Sequence, residues 1–168
     1  MSQLLLTIHC QFKANMKNNA IKIKNHIDIL HAVKGRVFHV TSEENMELII
    51  QSGNLIPNSD LAFPSIFGRI PNGYFRKRGC VSFFDYRIYG TPQWEEHAYK
   101  CFPTHNLRKG DKMCFLFLHE KNYKHLISWA SWKNEKAWCD RVVPWVEVGY
   151  KGEIPLDCIS ELLTVEFI

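Results

Sequence analysis

Apolar and polar positions alternate through Arg36-Val37-Phe38-His39-Val40-Thr41, the two-residue period of a half-buried strand built from β-branched and aromatic side chains. Thr41-x-x-Glu44 follows as a capping-box pattern, and Met46, Ile49 and Ile50 give the helical apolar face that Gly53 ends. A loop holding Pro57, Pro64, Gly68, Pro71 and Gly73 comes next. Residues 80–84 and 113–118 are apolar runs of strand length, separated by a helix or irregular segment carrying Trp94, Glu95, Glu96, His97 and Tyr99. Residues 142–148 read as a strand ahead of a turn at Gly149-x-x-Gly152, Ile154-Pro155-Leu156 as a helical turn, and residues 162–168 as the last strand. The pattern predicts one α+β domain over residues 35–168, with five or six strands and few short helices. Residues 1–34 are Asn-rich with little periodicity and are expected to form an N-terminal extension of uncertain order. Within them, a short amphipathic helix over 26–33 would align Ile27, Leu30 and Val33.

Composition narrows the class. A chain of 168 residues that is 46% apolar and 23% charged can bury a sizeable core, which excludes an intrinsically disordered protein. No apolar run approaches the roughly 20 residues of a membrane-spanning helix, and Leu4-Leu5-Leu6 is too short for a signal-peptide core. The six cysteines form no C-x-x-C pair, and a chain of this size needs no disulfides, so a reducing, cytoplasmic setting is expected. The net charge of +4 is unevenly spread. Residues 67–126 hold 11 basic against 5 acidic groups, among them Arg69, Arg76, Lys77 and Arg78, whereas residues 127–168 hold 4 against 7. That basic middle is either a solubilising surface or the footprint of a polyanion. His119 and His125 are six residues apart and do not share a helix face as zinc ligands would, so no metal is expected. Glycine-rich phosphate loops and the G-x-S-x-G elbow are absent from the sequence. Trp129, Trp132 and Trp138 are either core residues or surface anchors.

Three segments remain that point somewhere specific. They are Phe38-His39-Val40-Thr41-Ser42 with its helix ending at Ser52-Gly53-Asn54-Leu55-Ile56-Pro57, then Gly79-Cys80-Val81-Ser82-Phe83-Phe84, then Val143-Pro144-Trp145-Val146-Glu147-Val148 followed by Gly152-Glu153-Ile154-Pro155. Their order over roughly residues 36–166 resembles the ADP-ribosyltransferase superfamily, in particular its DarT-like branch and, more distantly, the tRNA 2′-phosphotransferases. The resemblance implies a split mixed sheet with few short helices and NAD as substrate, with no metal. It implies that Glu147 is the catalytic acidic residue and that His39, supported by Thr41, bonds a ribose hydroxyl or phosphate of NAD. Ser82 and Phe83 would line the nicotinamide side, and Arg69 and Arg78 would meet the pyrophosphate. Many relatives carry a stacking Tyr in the second segment, a role that Phe83 or Phe84 would have to fill here. A macromolecular acceptor follows, with DNA or RNA placed ahead of protein by the basic middle, and the toxin-like branch implies an antitoxin-like partner. No membrane is implied.

The chemistry suits those residue types. Cleavage of the nicotinamide–ribose bond develops positive charge at the anomeric carbon, and a carboxylate fixed beside it stabilises that charge. Strand alternation puts His39 and Thr41 on one face, and would put Trp145 and Glu147 on one face. Three alternatives stay open: an NAD-dependent RNA 2′-phosphotransferase, a non-catalytic nucleotide-binding module on the same fold, and an interaction protein in which His39 and Glu147 are incidental.

Overall fold

The computed structural model describes residues 16–168. In chain order they form β1 (Lys17–Ile23), a 3-10 turn (His26–Ile29) running into α1 (Leu30–Val33), β2 (Val37–Thr41), α2 (Glu43–Ser52), β3 (Asn54–Leu55), α3 (Tyr74–Lys77) and β4 (Cys80–Asp85). Then come α4 (Pro92–Ala98), β5 (Lys112–Leu118), β6 (Leu126–Ser128), α5 (Ala130–Asn134), β7 (Glu147–Lys151), β8 (Ile154–Pro155) and β9 (Ile159–Phe167). Seven strands make one sheet in the order β1-β9-β5-β2-β4-β7-β6, while β3 and β8 pair separately. The β1–β9 pair is parallel and the other neighbours are antiparallel. The fold is mixed α and β with short helices, as the sequence pattern predicts, but with more strands than the five or six expected.

Strand alternation sorts the core into two layers. Phe38, Val40, Phe84, Phe115 and Phe117 face one side, covered by Ile29, Val33 and Trp94 from the short helices. Val37, Val81, Phe83, Leu116 and Val148 face the other, covered by Met46 of α2 and by Leu55 and Ile154 of the small sheet. The sheet is narrowest in pairing at its middle. β2 and β4 share only Val37↔Asp85 and Phe38↔Phe84, whereas β2 pairs with β5 over four residues and β4 with β7 over five. The sheet is therefore two lobes, β1-β9-β5-β2 and β4-β7-β6, joined by a short seam.

Several local expectations change. The segment 17–34, expected to be an extension, is part of the domain from Lys17 onward; residues 1–15 lie outside the described residues. Asn19, Ile21 and Ile23 alternate inward, a period obscured in the sequence by a polar residue at its first position and by apolar Ala20 on the outward face. Over 26–33 the 3-10 turn shifts the helical register, so Ile29 and Val33 are buried and Ile27 is 67% exposed. The helix after β2 is capped by Ser42, whose Oγ accepts from the Asn45 N–H at 3.2 Å, because Thr41 is still paired with Cys114 in the sheet. Gly53 ends that helix at φ 76°, as expected.

The largest shift concerns residues 142–148. Pro144 has no N–H, the Val143 carbonyl accepts from Val146 and Glu147, and the chain turns there, so the strand starts at Glu147. Gly149, expected in a turn, lies inside β7 paired with Ser82, where a side chain would overlap the Phe75 ring and only glycine fits. Trp145 falls outside the strand at φ 65°, so the face it was expected to share with Glu147 does not exist.

Because Ile23 is buried against the first core layer, Ile23→Ala should cost about 2–4 kcal/mol in urea denaturation. A change under about 0.5 kcal/mol would show that β1 contributes nothing to the domain.

Candidate functional site

The seam between the lobes determines where the candidate residues sit. Continuing the register past Phe38↔Phe84 would bring Val40 opposite Ser82. The ladder stops first, and the Ser82 carbonyl instead meets the His39 imidazole, with Nδ1 at 2.8 Å. A carbonyl can only accept, so Nδ1 carries the proton and Nε2 keeps a lone pair. The ring packs edge-on against Phe83, with centroids 5.8 Å apart. Burial holds the imidazole pKa below its ordinary value, and the bond to Ser82 opposes that only in part. His39 is thus a neutral imidazole wedged where the two lobes part.

Glu147 opens β7 directly across β4 from Phe84, in the same cross-strand row as Phe84 and Phe38. Its Oε2 accepts the Val143 N–H at 2.5 Å. No cation lies within ion-pair distance among the described residues, although the charge of Arg141 is felt. Burial raises the carboxyl pKa; the Val143 hydrogen bond and Arg141 act against it. A half-buried carboxyl with one backbone donor is costly to keep unless it has work to do, which makes it a functional candidate on physical grounds.

His39 and Glu147 are not brought onto one face. His39 alternates with Phe38 and faces the layer of Phe83 and Leu116, whereas Glu147 faces that of Phe84 and Phe38. Between them lies the β2–β4 seam, whose ladder is limited to Val37↔Asp85 and Phe38↔Phe84. Thr41 shares the His39 face but is buried against Cys114. Ser82 lies on the Glu147 face, two residues along β4 from Phe84. Phe83 is 1% exposed and packs in the core, and Phe84 at 7% stacks on Phe38 with centroids 5.3 Å apart, so neither ring is open to an aromatic ligand. Arg69 is exposed in the loop before α3.

Arg78 is committed elsewhere. It forms ion pairs with Glu135 and Asp140 and stacks over Tyr74, with its guanidinium carbon 3.7 Å from the ring centroid. Lys77 also pairs with Asp140, at 2.6 Å, and Arg76 donates to the carbonyls of Ile70 and Ser59. Two side chains of the basic middle, Lys77 and Arg78, thus pin the 135–141 segment to α3. Sequence reasoning missed this clamp because its acidic partners lie about sixty residues away along the chain.

Two surface hollows occur elsewhere. One, of about 260 Å³, is lined by Arg36, His119, Lys121 and Tyr123; another, of about 440 Å³, by Glu43, Glu44, Asp111 and Lys112. Neither includes His39 or Glu147. No group of His, Cys, Asp or Glu suited to a metal ion occurs among the described residues, nor is any helix there long and apolar enough to cross a membrane. Compared with protein-family models, curated proteins and solved structures, the chain matches none.

The lowered imidazole pKa gives a signed expectation. Below pH 6.5 the unfolded chain protonates His39 while the folded one resists, so stability falls as the pH drops below that value. Replacing it, as in His39→Gln, should flatten this part of the wild-type stability curve relative to the rest. Parallel curves for the two proteins between pH 6.5 and 5 would show that the imidazole is not buried as a neutral group.

Proposed function

We propose that the protein transfers ADP-ribose from NAD to a macromolecular acceptor in the cytoplasm, on an ADP-ribosyltransferase-like split sheet, with Glu147 as the catalytic carboxylate. The observation that carries this reading is the Glu147 carboxyl. It is half-buried, lacks an ion-pair partner among the described residues, and opens a strand beside the short seam between the lobes. Heterolysis of the bond between the ribose anomeric carbon and the nicotinamide nitrogen sends the bonding pair to nicotinamide and leaves positive charge on the ribose. A carboxylate already in place meets that charge without reorganisation. The acceptor's lone pair then closes the new bond as its proton departs. His39, with Nδ1 held by Ser82 and Nε2 a lone-pair acceptor, is suited to accept from a ribose hydroxyl that reaches into the gap. Ser82, on the Glu147 face, supplies a hydroxyl nearby.

A second reading has a specific observation behind it. With His39 and Glu147 on opposite faces, Phe83 in the core and Arg78 in ion pairs, the same fold serves as a nucleotide-binding module without turnover. The two differ in whether NAD is consumed. Binding alone raises the melting temperature and releases no nicotinamide.

The decisive assay follows free nicotinamide from NAD with DNA, RNA or lysate as acceptor. Glu147→Gln should reduce release about 100-fold or more while leaving the fold intact. Release should also rise with pH through the raised Glu147 pKa, because only the ionised carboxyl stabilises the cation. No release with any acceptor, or equal release from Glu147→Gln, contradicts catalysis by this carboxyl.

A further inference from the structure

The hollow of about 260 Å³ beside the ends of β2, β5 and β9 gathers hydrogen-bond donors that the fold leaves without acceptors. Its Arg36 guanidinium is held in place before any ligand arrives. Nη1 donates to the Ala32 carbonyl at 3.3 Å, Nη2 donates to Glu161 at 2.7 Å, and the group lies 3.4 Å over the Phe117 ring. Glu161 also accepts from Asn19 and does not line the hollow, so its carboxylate backs the guanidinium from behind. Nε and the remaining protons of the Arg36 fork have no acceptor among the described residues. Tyr123 is fixed by the Val37 N–H, which donates to its hydroxyl at 3.2 Å, while the hydroxyl's own proton has no acceptor there either. His119 and Lys121 complete the wall, and neither has an acidic partner among the described residues. Such a set of fixed donors around a small space is complementary to an oxyanion.

Ser160 narrows the choice of anion. Its hydroxyl proton goes to the Phe117 carbonyl at 3.1 Å, so it offers the hollow only lone pairs. An anion seated against it gains a bond only if it carries a proton of its own. Sulfate carries none. A phosphomonoester, whose second ionisation falls at about pH 6, has lost its proton above neutrality, and the diesters of a pyrophosphate bridge have none to give. Inorganic phosphate keeps one as hydrogen phosphate. Glu120, the one acid among the lining residues, acts in the same direction by disfavouring a fully ionised ligand. The volume holds one such ion with a few waters, a water taking about 30 Å³ in the liquid.

We propose that this hollow is a binding site for inorganic phosphate, with Arg36, His119, Lys121 and Tyr123 donating to its oxygens and Ser160 accepting its proton. The site includes neither His39 nor Glu147, and it needs no NAD.

Isothermal titration of the full chain with sodium phosphate just above neutral pH, at constant ionic strength and without NAD, should show saturable binding. Sulfate and glycerol phosphate should bind roughly tenfold more weakly or worse, because each leaves the Ser160 lone pairs facing an ionised oxygen. Binding is measured directly because phosphate and sulfate both raise melting temperatures by exclusion from protein surfaces. Lys121→Ala removes an exposed ammonium with no acidic partner and should weaken phosphate roughly tenfold, with the melting temperature in its absence unchanged. Ser160→Ala should abolish the preference for phosphate over sulfate. Lys112→Ala, in the other hollow, should bind as wild type. The proposal is overturned by absence of saturable binding, by equal affinity of the wild type for sulfate or glycerol phosphate, by a Lys121→Ala affinity equal to wild type, or by a preference that survives Ser160→Ala. Nicotinamide release plays no part in these readouts, so failure of the catalytic reading leaves them unaffected.

Discussion

The bond from the His39 imidazole to the Ser82 carbonyl marks the place on which the rest of this architecture turns. Two strands that pair for two residues and then part leave backbone groups unpaired in the middle of a sheet, where water is scarce and unmade bonds are expensive. One of those groups is satisfied by a side chain instead of a neighbouring strand. The lobes can separate there without an orphaned carbonyl, and the aromatic row Phe38–Phe84 with its edge partner Tyr86 holds them together just below. Glu147 lies in that same row, one strand further on. The seam is thus short in backbone pairing yet held by packed aromatic rings and one side-chain hydrogen bond.

Charge is distributed by a related economy. The basic side chains of α3 draw the Glu135–Asp140 stretch onto the body of the protein, with Tyr74 donating to Glu135 at 2.8 Å and Arg78 lying over the Tyr74 ring. Burial and the bond to Glu135 together push the Tyr74 hydroxyl pKa up to about 12, so it remains a donor throughout the working range. This clamp fixes the middle of the tryptophan-bearing segment, and the turn at Pro144 fixes its end immediately before Glu147.

Much of this was legible in the sequence because it is local. The alternation around His39, the helix closed by Gly53 and the apolar run of β5 each follow from patterns within a dozen residues. Three kinds of feature were not. β1 was hidden because this parallel edge strand has only two apolar residues, Ile21 and Ile23, among its inward positions, and polar Asn19 takes the third. The start of β7 was misjudged because Val142, Val143 and Val146 look strand-forming, while Pro144 and the accepting Val143 carbonyl fold them into a turn. The partners of Arg78 were invisible because Glu135 and Asp140 are distant in sequence. The motif order that singles out His39 and Glu147 says nothing about faces: a shift of one residue in alternation separates the two side chains by the thickness of the sheet.

The claim that the seam is where NAD binds can be read amide by amide. Hydrogen–deuterium exchange of the full chain with and without NAD should show new protection confined to residues 39–42, 80–84 and 143–148, the two lips of the gap and the Glu147 turn. Protection centred on the hollow of Arg36, His119 and Tyr123, or no change anywhere at saturating NAD, would contradict it.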